Sequence, residues 1–387
     1  MTVPPEEDVA LKLLHTADWH IGQRFLNFEK QEHQERLSRE RLSAVKRVLD
    51  LARSEQVHAV LCAGDLFHDP HPEERYWKGL LKHLREQDWT DRPVFLLPGN
   101  HDPLLPTSPY ASDHPFRQGL PSNVHVVDRA GFTYSIKEDA VLYATPCFST
   151  AGDTDQAMAL PERDPGDERF RIGMVHGSTF DMKNHQVEFP ISTDAPKARG
   201  LDYLAIGDTH GFRVLPDSSA VAPVVYPSTP EPTCFKEVDP GYAALVFFRK
   251  RGRAPLISKR PTAYFKWESV RCSNMTELRD LARRNLSQTV LRLDLDMEVS
   301  IPEFDEAEEI LLQLGGSDAQ VGAAGAIKVD RAGLRQNPLG EWPPELPPTI
   351  QATVDKLRDM ATEGSEEQRP LATRALVHLY RLVRAQA

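Results

Sequence analysis

Five short apolar runs, each of strand length, end in Asp, Asn or His, and this recurrence constrains the chain more than any other feature. Residues 11–14 lead into Asp18-Trp19-His20, residues 59–62 into Gly64-Asp65, and residues 94–97 into Gly99-Asn100-His101-Asp102. Residues 172–175 lead into His176-Gly177, and residues 204–206 into Gly207-Asp208-Thr209-His210. Strand ends that all carry ligand-type side chains suit an α/β sheet, whose chemistry gathers beyond the C-terminal ends of its strands. Four of the five have glycine beside the polar residue, which lets the backbone turn tightly and come close to a ligand. Side chains two apart on an extended backbone point the same way, so Asp18 and His20 could reach one ion. Alone, an Asp-x-His is ordinarily a turn with a solvated histidine. Repetition at five strand ends gives it meaning.

The same alternation sets the fold class. Further strand-length runs lie at 124–127, 141–144, 224–226 and 243–248, bounded by turn residues. Residues 34–53 place Leu37, Arg41, Leu42, Val45, Val48, Leu49 and Ala52 at helical spacing, and residues 72–87 do the same with Tyr76, Leu80, Leu81 and Leu84. Strand–helix–strand order followed by mostly strands predicts an α/β fold of two stacked mixed β-sheets flanked by helices, over residues 1–262. The acidic segment 152–167, with Pro161 and Pro165, lacks periodicity and reads as a mobile surface insertion. Residues 263–336 restart as a small α/β capping domain, with strands at 265–270, 290–299 and 326–329 and helices at 274–285 and 303–314. Asn274 and Glu277 form a capping-box pair at the first of these helices. A Pro-rich linker (337–348) and a helical tail (349–387) complete the chain, the last helix carrying Leu376, Leu379 and Val383 on one face.

Composition narrows the class without choosing a function. Of 387 residues, 40% are hydrophobic and 27% charged, which is ordinary for a globular protein. No run reaches the ~18 apolar residues of a membrane span, so no membrane partner is expected. The acidic N-terminus lacks the order of a signal peptide. The cysteines (Cys62, Cys147, Cys234, Cys272) lie far apart without a Cys-x-x-Cys, and the compartment expected from them is cytoplasmic and reducing. The net charge of −11 argues against a protein coated in basic residues. One local basic patch stands out, a predicted hairpin over 246–267 with Gly252 near its turn. It carries Arg249, Lys250, Arg251, Arg253, Lys259, Arg260 and Lys266 among aromatic residues and contains no acidic one. As a DNA-binding element it would touch phosphates and stack on bases; as a bland edge hairpin its lysines would block strand pairing.

Asp, Asn and His donors without cysteine suit divalent ions such as Mn²⁺, Fe²⁺ or Zn²⁺. Seven candidates, Asp18, His20, Asp65, Asn100, His176, Asp208 and His210, exceed one ion's needs and fit two sharing a carboxylate. Two ions about 3.5–4 Å apart would hold a bridging hydroxide for in-line attack on phosphorus. His101 could contact the phosphate or protonate the leaving oxygen. Asp69 and Asp102 read as loop-bracing residues. His15, His58, His83, His125 and His378 fall inside strand or helix patterns and read as packing or surface residues.

The order Asp-x-His, Gly-Asp, Gly-Asn-His-Asp, His, x-x-His resembles the calcineurin-like metallophosphoesterases. Gly64-Asp65-Leu66-Phe67-His68 and Tyr226-Pro227-Ser228-Thr229-Pro230 are similar to the branch of SbcD-type DNA repair nucleases. The resemblance implies that Asp18, His20 and His210 bind one ion, that Asp65 bridges, and that Asn100, His176 and Asp208 bind the other. It also implies a phosphate-side role for His68 and His101, manganese as the favoured metal with Mg²⁺, Fe²⁺ or Zn²⁺ as alternatives, and a DNA substrate. An SMC-like ATPase of the SbcC kind is the implied partner, and a homodimer is compatible with it. One position departs from the pattern: the family usually has His where this chain has Asp208. Two other functions stay open. One is a phosphoesterase for a nucleotide or cyclic nucleotide; the other is a non-catalytic scaffold with a decayed site. A protein phosphatase is disfavoured, because Leu97-Pro98 precedes the Gly-Asn-His motif where that branch has Arg.

Overall fold

Every residue of β1 (Leu11–Thr16) is buried, because the strand lies mid-sheet with both faces covered. Leu11 and Leu13 face one packing layer while Leu14 faces another, as a period of two requires. Such doubly covered strands read as continuous apolar runs, which is why they were visible in the sequence. The computed structural model describes residues 9–86, 92–179, 188–215, 222–316, 323–337, 339–340, 342 and 346–386. The chain divides into two compact units, Met1–Lys266 and Trp267–Ala387.

The first unit contains two six-stranded sheets. β1 is joined by β2 (Ala59–Cys62), β3 (Val94–Leu96) and β4 (Val124–Val126), all parallel. The second sheet is built from β5 (Phe132–Lys137), β6 (Ala140–Ala144), β7 (Phe170–His176), β8 (Tyr203–Gly207), β9 (Phe212–Leu215) and β10 (Val224–Pro227). Returning to the first sheet, β11 (Tyr242–Phe248) and β12 (Leu256–Pro261) add antiparallel strands beside β1. The orders are β12-β11-β1-β2-β3-β4 and β5-β6-β7-β8-β10-β9. Leu13, Leu61 and Phe95 of the first sheet meet Leu142, Met174 and Ala205 of the second in one core. Outside the first sheet, α1 (Gln31–Ser54) and α2 (Glu74–Glu86) bury Val45, Val48, Leu49, Leu80 and Leu84 against Leu14, Val60 and Leu96. The short helices α3 (Pro115–Gln118) and α4 (Ala195–Arg199) fill loops. The expected two-sheet α/β architecture is therefore present, with β1, β2, β3, β7 and β8 all ending along one edge.

Two sequence expectations change here. Segment 152–167 is pinned, not loose: Gln156, Ala157 and Leu160 are buried, and Arg163 donates to the Gly200 carbonyl (2.8 Å) and pairs with Asp202 (2.6 Å). β5 and β9, absent from the sequence reading, are edge strands whose mixed, half-exposed residues give no apolar run.

The second unit has a three-stranded sheet of β13 (Lys266–Cys272), β14 (Thr289–Val299) and β15 (Ala326–Gln336) in that order. Helices α5 (Met275–Ala282) and α6 (Ile301–Leu314) bury Leu278, Leu281, Leu311 and Leu314 against Leu291, Leu293 and Leu295. Asn274 caps α5, as its sequence predicted, and a full Ser300–Glu303 capping box opens α6. In the tail, α7 (Pro348–Thr362) and α8 (Gln368–Gln386) pair; α8 buries Ala372, Leu376 and Tyr380, a stripe rotated from the Leu376–Leu379–Val383 face expected. Much of the Pro-rich linker lies outside the described residues.

Candidate metal centre

The strands do not simply stop at the sheet edge; the loops after β1, β2 and β8 turn back through residues of positive φ. Asp18 (φ 54°), His20 (φ 42°), Asp65 (φ 54°) and Asp208 (φ 94°) all have positive φ. Non-glycine residues pay for this conformation with about 1–2 kcal/mol each, and only dense surroundings keep them there. Those surroundings are identifiable. Asp18 N–H donates to the Gly64 carbonyl (3.0 Å) and His20 N–H to that of Asp65 (2.9 Å), so the first two loops run side by side. Arg41 of α1, 1% exposed, grips the first loop from behind. Its guanidinium donates to the carbonyls of Trp19 (2.8 Å), Asp18 (3.0 Å), His20 (3.2 Å) and Glu231 (2.8 Å), and to Thr229 Oγ1 (3.0 Å). Burial lowers its pKa to about 10, which leaves it cationic. Asp102 ties the next two loops together, accepting from Phe67 N–H (2.9 Å), Gly99 N–H (2.8 Å) and the Tyr110 hydroxyl. That is the bracing role its sequence position suggested.

Three groups of donors result: an all-histidine set of His20, His68 and His101, and two nests that carry carboxylates. In the first nest, Asp18, His20 and His210 each bring a ligand atom within 4.8 Å of the others. His20 Nε2 lies 3.0 Å from His210 Nε2 and 3.6 Å from Asp65 Oδ2. In the second, Asp18, Asp65 and His176 meet under the same limit, and His176 Nε2 lies 3.4 Å from Asp65 Oδ1 and 3.0 Å from Asn100 Oδ1. Asp65 thus presents one oxygen to each nest. The glycines make room for this: a Cβ on Gly64 would fall 2.0 Å from His176 Nδ1, and one on Gly99 2.1 Å from Asp65 Oδ1.

The donor set fits divalent cations. Asp18 Oδ2 is buried with no hydrogen-bond partner among the described residues, an arrangement costly for a carboxylate unless a cation faces it. The remaining ring nitrogens are held for the purpose: His210 Nδ1 lies 2.6 Å from Glu237 Oε1 and His176 Nδ1 2.8 Å from the Ala63 carbonyl, leaving both Nε2 atoms turned to the nests. Burial pushes the Asp18 carboxyl up to about 6, although neighbouring histidines oppose it. Burial also works against charge on His176, but the adjacent Asp65 overcomes it and lifts the imidazole to about 10. Asp65 in turn is held well below the usual carboxylate range, against its burial, by His176 and then His20.

His68 and His101 come to the mouth of these nests. His68 Nδ1 lies 3.4 Å from His20 Nδ1, and the His68 and His101 rings stack at 5.2 Å. His101 is exposed, its backbone N–H donating to Asp65 Oδ1 (3.0 Å) and its Nδ1 to the His68 carbonyl (3.1 Å). Asp208 behaves differently from the other six candidates. Its carboxylate accepts from the Ser178 hydroxyl, while its N–H donates to Asp18 Oδ1 (2.9 Å). It joins neither three-residue nest. Glu237 and Ser178 have no place in the sequence reading, and Arg41 has one only as part of a helical stripe. Only Arg41 left a signal, as a charged residue on the buried stripe of α1.

The turn of the basic hairpin is not brought to this centre, whereas Lys259 and Arg260 lie level with the end of β1 that leads to Asp18. β11 runs antiparallel to β1 with Phe248 opposite Leu11, so Arg249, Lys250, Arg251 and Arg253 sit at the end of the sheet remote from Asp18. A six-residue strand at about 3.3 Å per residue puts about 20 Å between the two ends. Lys259 pairs with Asp239, Arg260 with Glu55 (3.0 Å) and Arg251 with Glu168, so these three are already partnered by carboxylates.

The model of the calcineurin-like phosphoesterase family matches residues 11–212, more than half of the 387-residue chain. The chain belongs to this family. Calcineurin-like phosphoesterases hydrolyse phosphoester bonds and bind two divalent metals. Among curated relatives, an uncharacterized metallophosphoesterase of Bacillus subtilis, YhaO, is 28% identical over 60% of this chain and 56% of its own length. The DNA double-strand break repair protein Mre11 of Sulfolobus acidocaldarius is 25% identical over 52% of this chain and 50% of its own. The SbcD component of the nuclease SbcCD from Bacillus subtilis is 31% identical over 24% of this chain and 22% of its own. The chain spans about half the length of the first two relatives. No helix among the described residues is long and apolar enough to cross a membrane.

Proposed function

We propose that this calcineurin-like phosphoesterase is a metal-dependent phosphodiesterase that cleaves DNA. The observation that carries the reading is the pair of donor nests sharing Asp65, with His101 exposed at their mouth. Asp18, His20 and His210 would hold one ion, Asn100 and His176 the other, and Asp65 both. Bound there, divalent ions supply Lewis acidity and make a water nucleophile available near neutral pH.

The chain's own residues supply the rest. His101 donates its Nδ1 proton to the His68 carbonyl, which fixes the ring and turns Nε2 outward. As an imidazolium, His101 would donate from Nε2 to a phosphate oxygen or to the departing alkoxide. His68, with its pKa lowered by burial and by His101, would act as a neutral neighbour that keeps the two rings stacked. DNA as substrate is supported by the likeness to Mre11 and to the SbcD component of SbcCD, proteins named for DNA repair and nuclease function. The same likeness supports an SbcC-type ATPase as partner, and the oxygen donors of Asp18, Asp65 and Asn100 support Mn²⁺ as the working metal. The remoteness of the hairpin tip favours a second reading, hydrolysis of a nucleotide or cyclic nucleotide by the same residues.

The test is Mn²⁺-dependent cleavage of single- and double-stranded DNA by the purified chain, with Asp65→Ala as control. Cleavage is expected in the wild type and a loss of at least about 10³-fold in the variant. Hydrolysis of bis-p-nitrophenyl phosphate or a cyclic nucleotide, with no DNA cleavage under any metal, would select the second reading. Cleavage that survives Asp65→Ala would reject the site.

A further inference from the structure

We propose that Ser178 weakens the second metal position by engaging the Asp208 carboxylate in a hydrogen bond. The inference rests on the metal assignment above and concerns only how this chain fills it.

The two nests are built from unlike donors. The first has two imidazoles and two carboxylates, Asp18 and the shared Asp65. The second shares both Asp18 and Asp65, and in place of the second imidazole it has the neutral amide oxygen of Asn100 beside His176. Asp208 is the residue that could add charge there, since its backbone leaves β8 beside His176: Gly207 pairs with His176 across β7 and β8. Its side chain is shorter than the histidine that the sequence resemblance implies at this position. Its carboxylate accepts a hydrogen bond from Ser178.

Ser178 is a fixed post. Its N–H donates to the Phe189 carbonyl (3.2 Å) and its own carbonyl accepts from Ile191 N–H (2.9 Å). The next residue, Thr179, bridges Ile191 and donates its N–H to the Tyr226 hydroxyl (2.9 Å). Asp208 is held just as firmly at its backbone, by φ 94° and by the bond from its N–H to Asp18 Oδ1 (2.9 Å). The remaining freedom is the Asp208 side-chain torsion. An ion at the second position must therefore compete with a charge-assisted hydrogen bond to gain Asp208 as a further donor, whereas the first nest has no carboxylate held off in this way. His210 of the first nest is oriented by the carboxylate of Glu237, whereas His176 of the second is oriented by the neutral Ala63 carbonyl.

Calorimetric titration of the metal-stripped full chain with Mn²⁺ tests this without reference to turnover. The wild type should show two steps separated by at least about tenfold in Kd. Removing the Ser178 hydroxyl in Ser178→Ala should tighten the weaker step by about tenfold, the size of one hydrogen bond to a charged group, and leave the stronger step in place. Ser178→Thr, which keeps a hydroxyl, should titrate as the wild type does. In an Asp208→Ala background, Ser178→Ala should change nothing, which assigns the effect to this pair. Two equal steps in the wild type overturn the proposal, as does a Ser178→Ala variant whose weaker step is unchanged or weaker. Tightening that persists without Asp208 overturns it too. A chain that binds no Mn²⁺ overturns both this inference and the metal assignment. The Ser178→Ala tightening in a chain that cleaves no DNA upholds the inference and rejects the nuclease reading.

Discussion

Replacing Gly99 by alanine should damage the metal centre while leaving the fold standing. The backbone at Gly99 has no positive φ that would penalise a side chain; the obstacle is the Asp65 carboxylate. A Cβ there would lie 2.1 Å from Asp65 Oδ1 and 2.4 Å from Asp65 N, whereas real Cβ atoms stay beyond 3.0 Å, so the oxygen must retreat by about 0.9 Å. Asp65 cannot follow by a small torsion, since Oδ1 also accepts from His101 N–H (3.0 Å) and faces His176 Nε2 (3.4 Å). A misplacement of this size costs about 10²-fold in an active site, or about 2.7 kcal/mol. Overpacking adds about 1–3 kcal/mol of destabilisation, which a protein of this size tolerates. Mn²⁺ affinity by calorimetry, kcat/KM on bis-p-nitrophenyl phosphate and Tm should be measured together. Gly166→Ala serves as control, because a Cβ there would meet nothing within 4 Å. The expected result is a loss of about 10² in the first two quantities against the control, with a cooperative melt retained. Wild-type metal affinity in Gly99→Ala would refute the placement of Asp65 between the two nests.

Arg41→Lys should destabilise by about 2–4 kcal/mol, because one ammonium cannot serve the carbonyls of Asp18, Trp19 and Glu231 that the guanidinium fork reaches. Chemical denaturation checks it, and a change below about 0.5 kcal/mol would mean the loop carbonyls find water instead. His15 predicts a pH effect: burial lowers its pKa to about 3, while its Nδ1 lies 2.9 Å from the Tyr203 hydroxyl. Unfolded, it titrates near 6.5. Between these values the unfolded chain binds the extra proton, so stability falls as pH drops through this window, by about 1.4 kcal/mol per unit. His15→Gln, compared with wild type in urea at pH 7.5 and pH 4.5 with EDTA present, should remove about 2–3 kcal/mol of that loss. Parallel pH dependence in the two proteins would show that His15 is not kept neutral by the fold.

The layered core was legible because strands covered on both faces have no polar alternation to hide them. Ala59–Cys62 is seen in the structure with the bounds its apolar run suggested, and the flanking helices follow the spacing of Val45, Val48 and Leu49. Edge strands were lost for the converse reason: Phe132–Lys137 is half exposed and reads as ordinary polar sequence. At the centre, residues that end strands were legible, since strand ends and ligand types coincide in the sequence. Residues that orient them were not. Glu237 reaches His210 from 27 positions away and Ser178 reaches Asp208 from 30, distances over which a single sequence carries no pairing signal. The basic hairpin shows a different limit of sequence. Its composition suggested a phosphate contact, but composition does not reveal which end of a strand its turn occupies, and the antiparallel register of Phe248 with Leu11 puts the turn at the end remote from Asp18.

The positive φ of Asp18, His20, Asp65 and Asp208 limits what can ever replace them. Among side chains that can bind a hard or borderline cation, Asp, Asn and His also tolerate the left-handed region, whereas β-branched residues do not. Backbone geometry and ligand chemistry therefore filter the same short alphabet at these positions. A library built there needs three or four amino acids rather than twenty, and the Asp at position 208 is one of the few exchanges with histidine that this scaffold admits without moving its backbone.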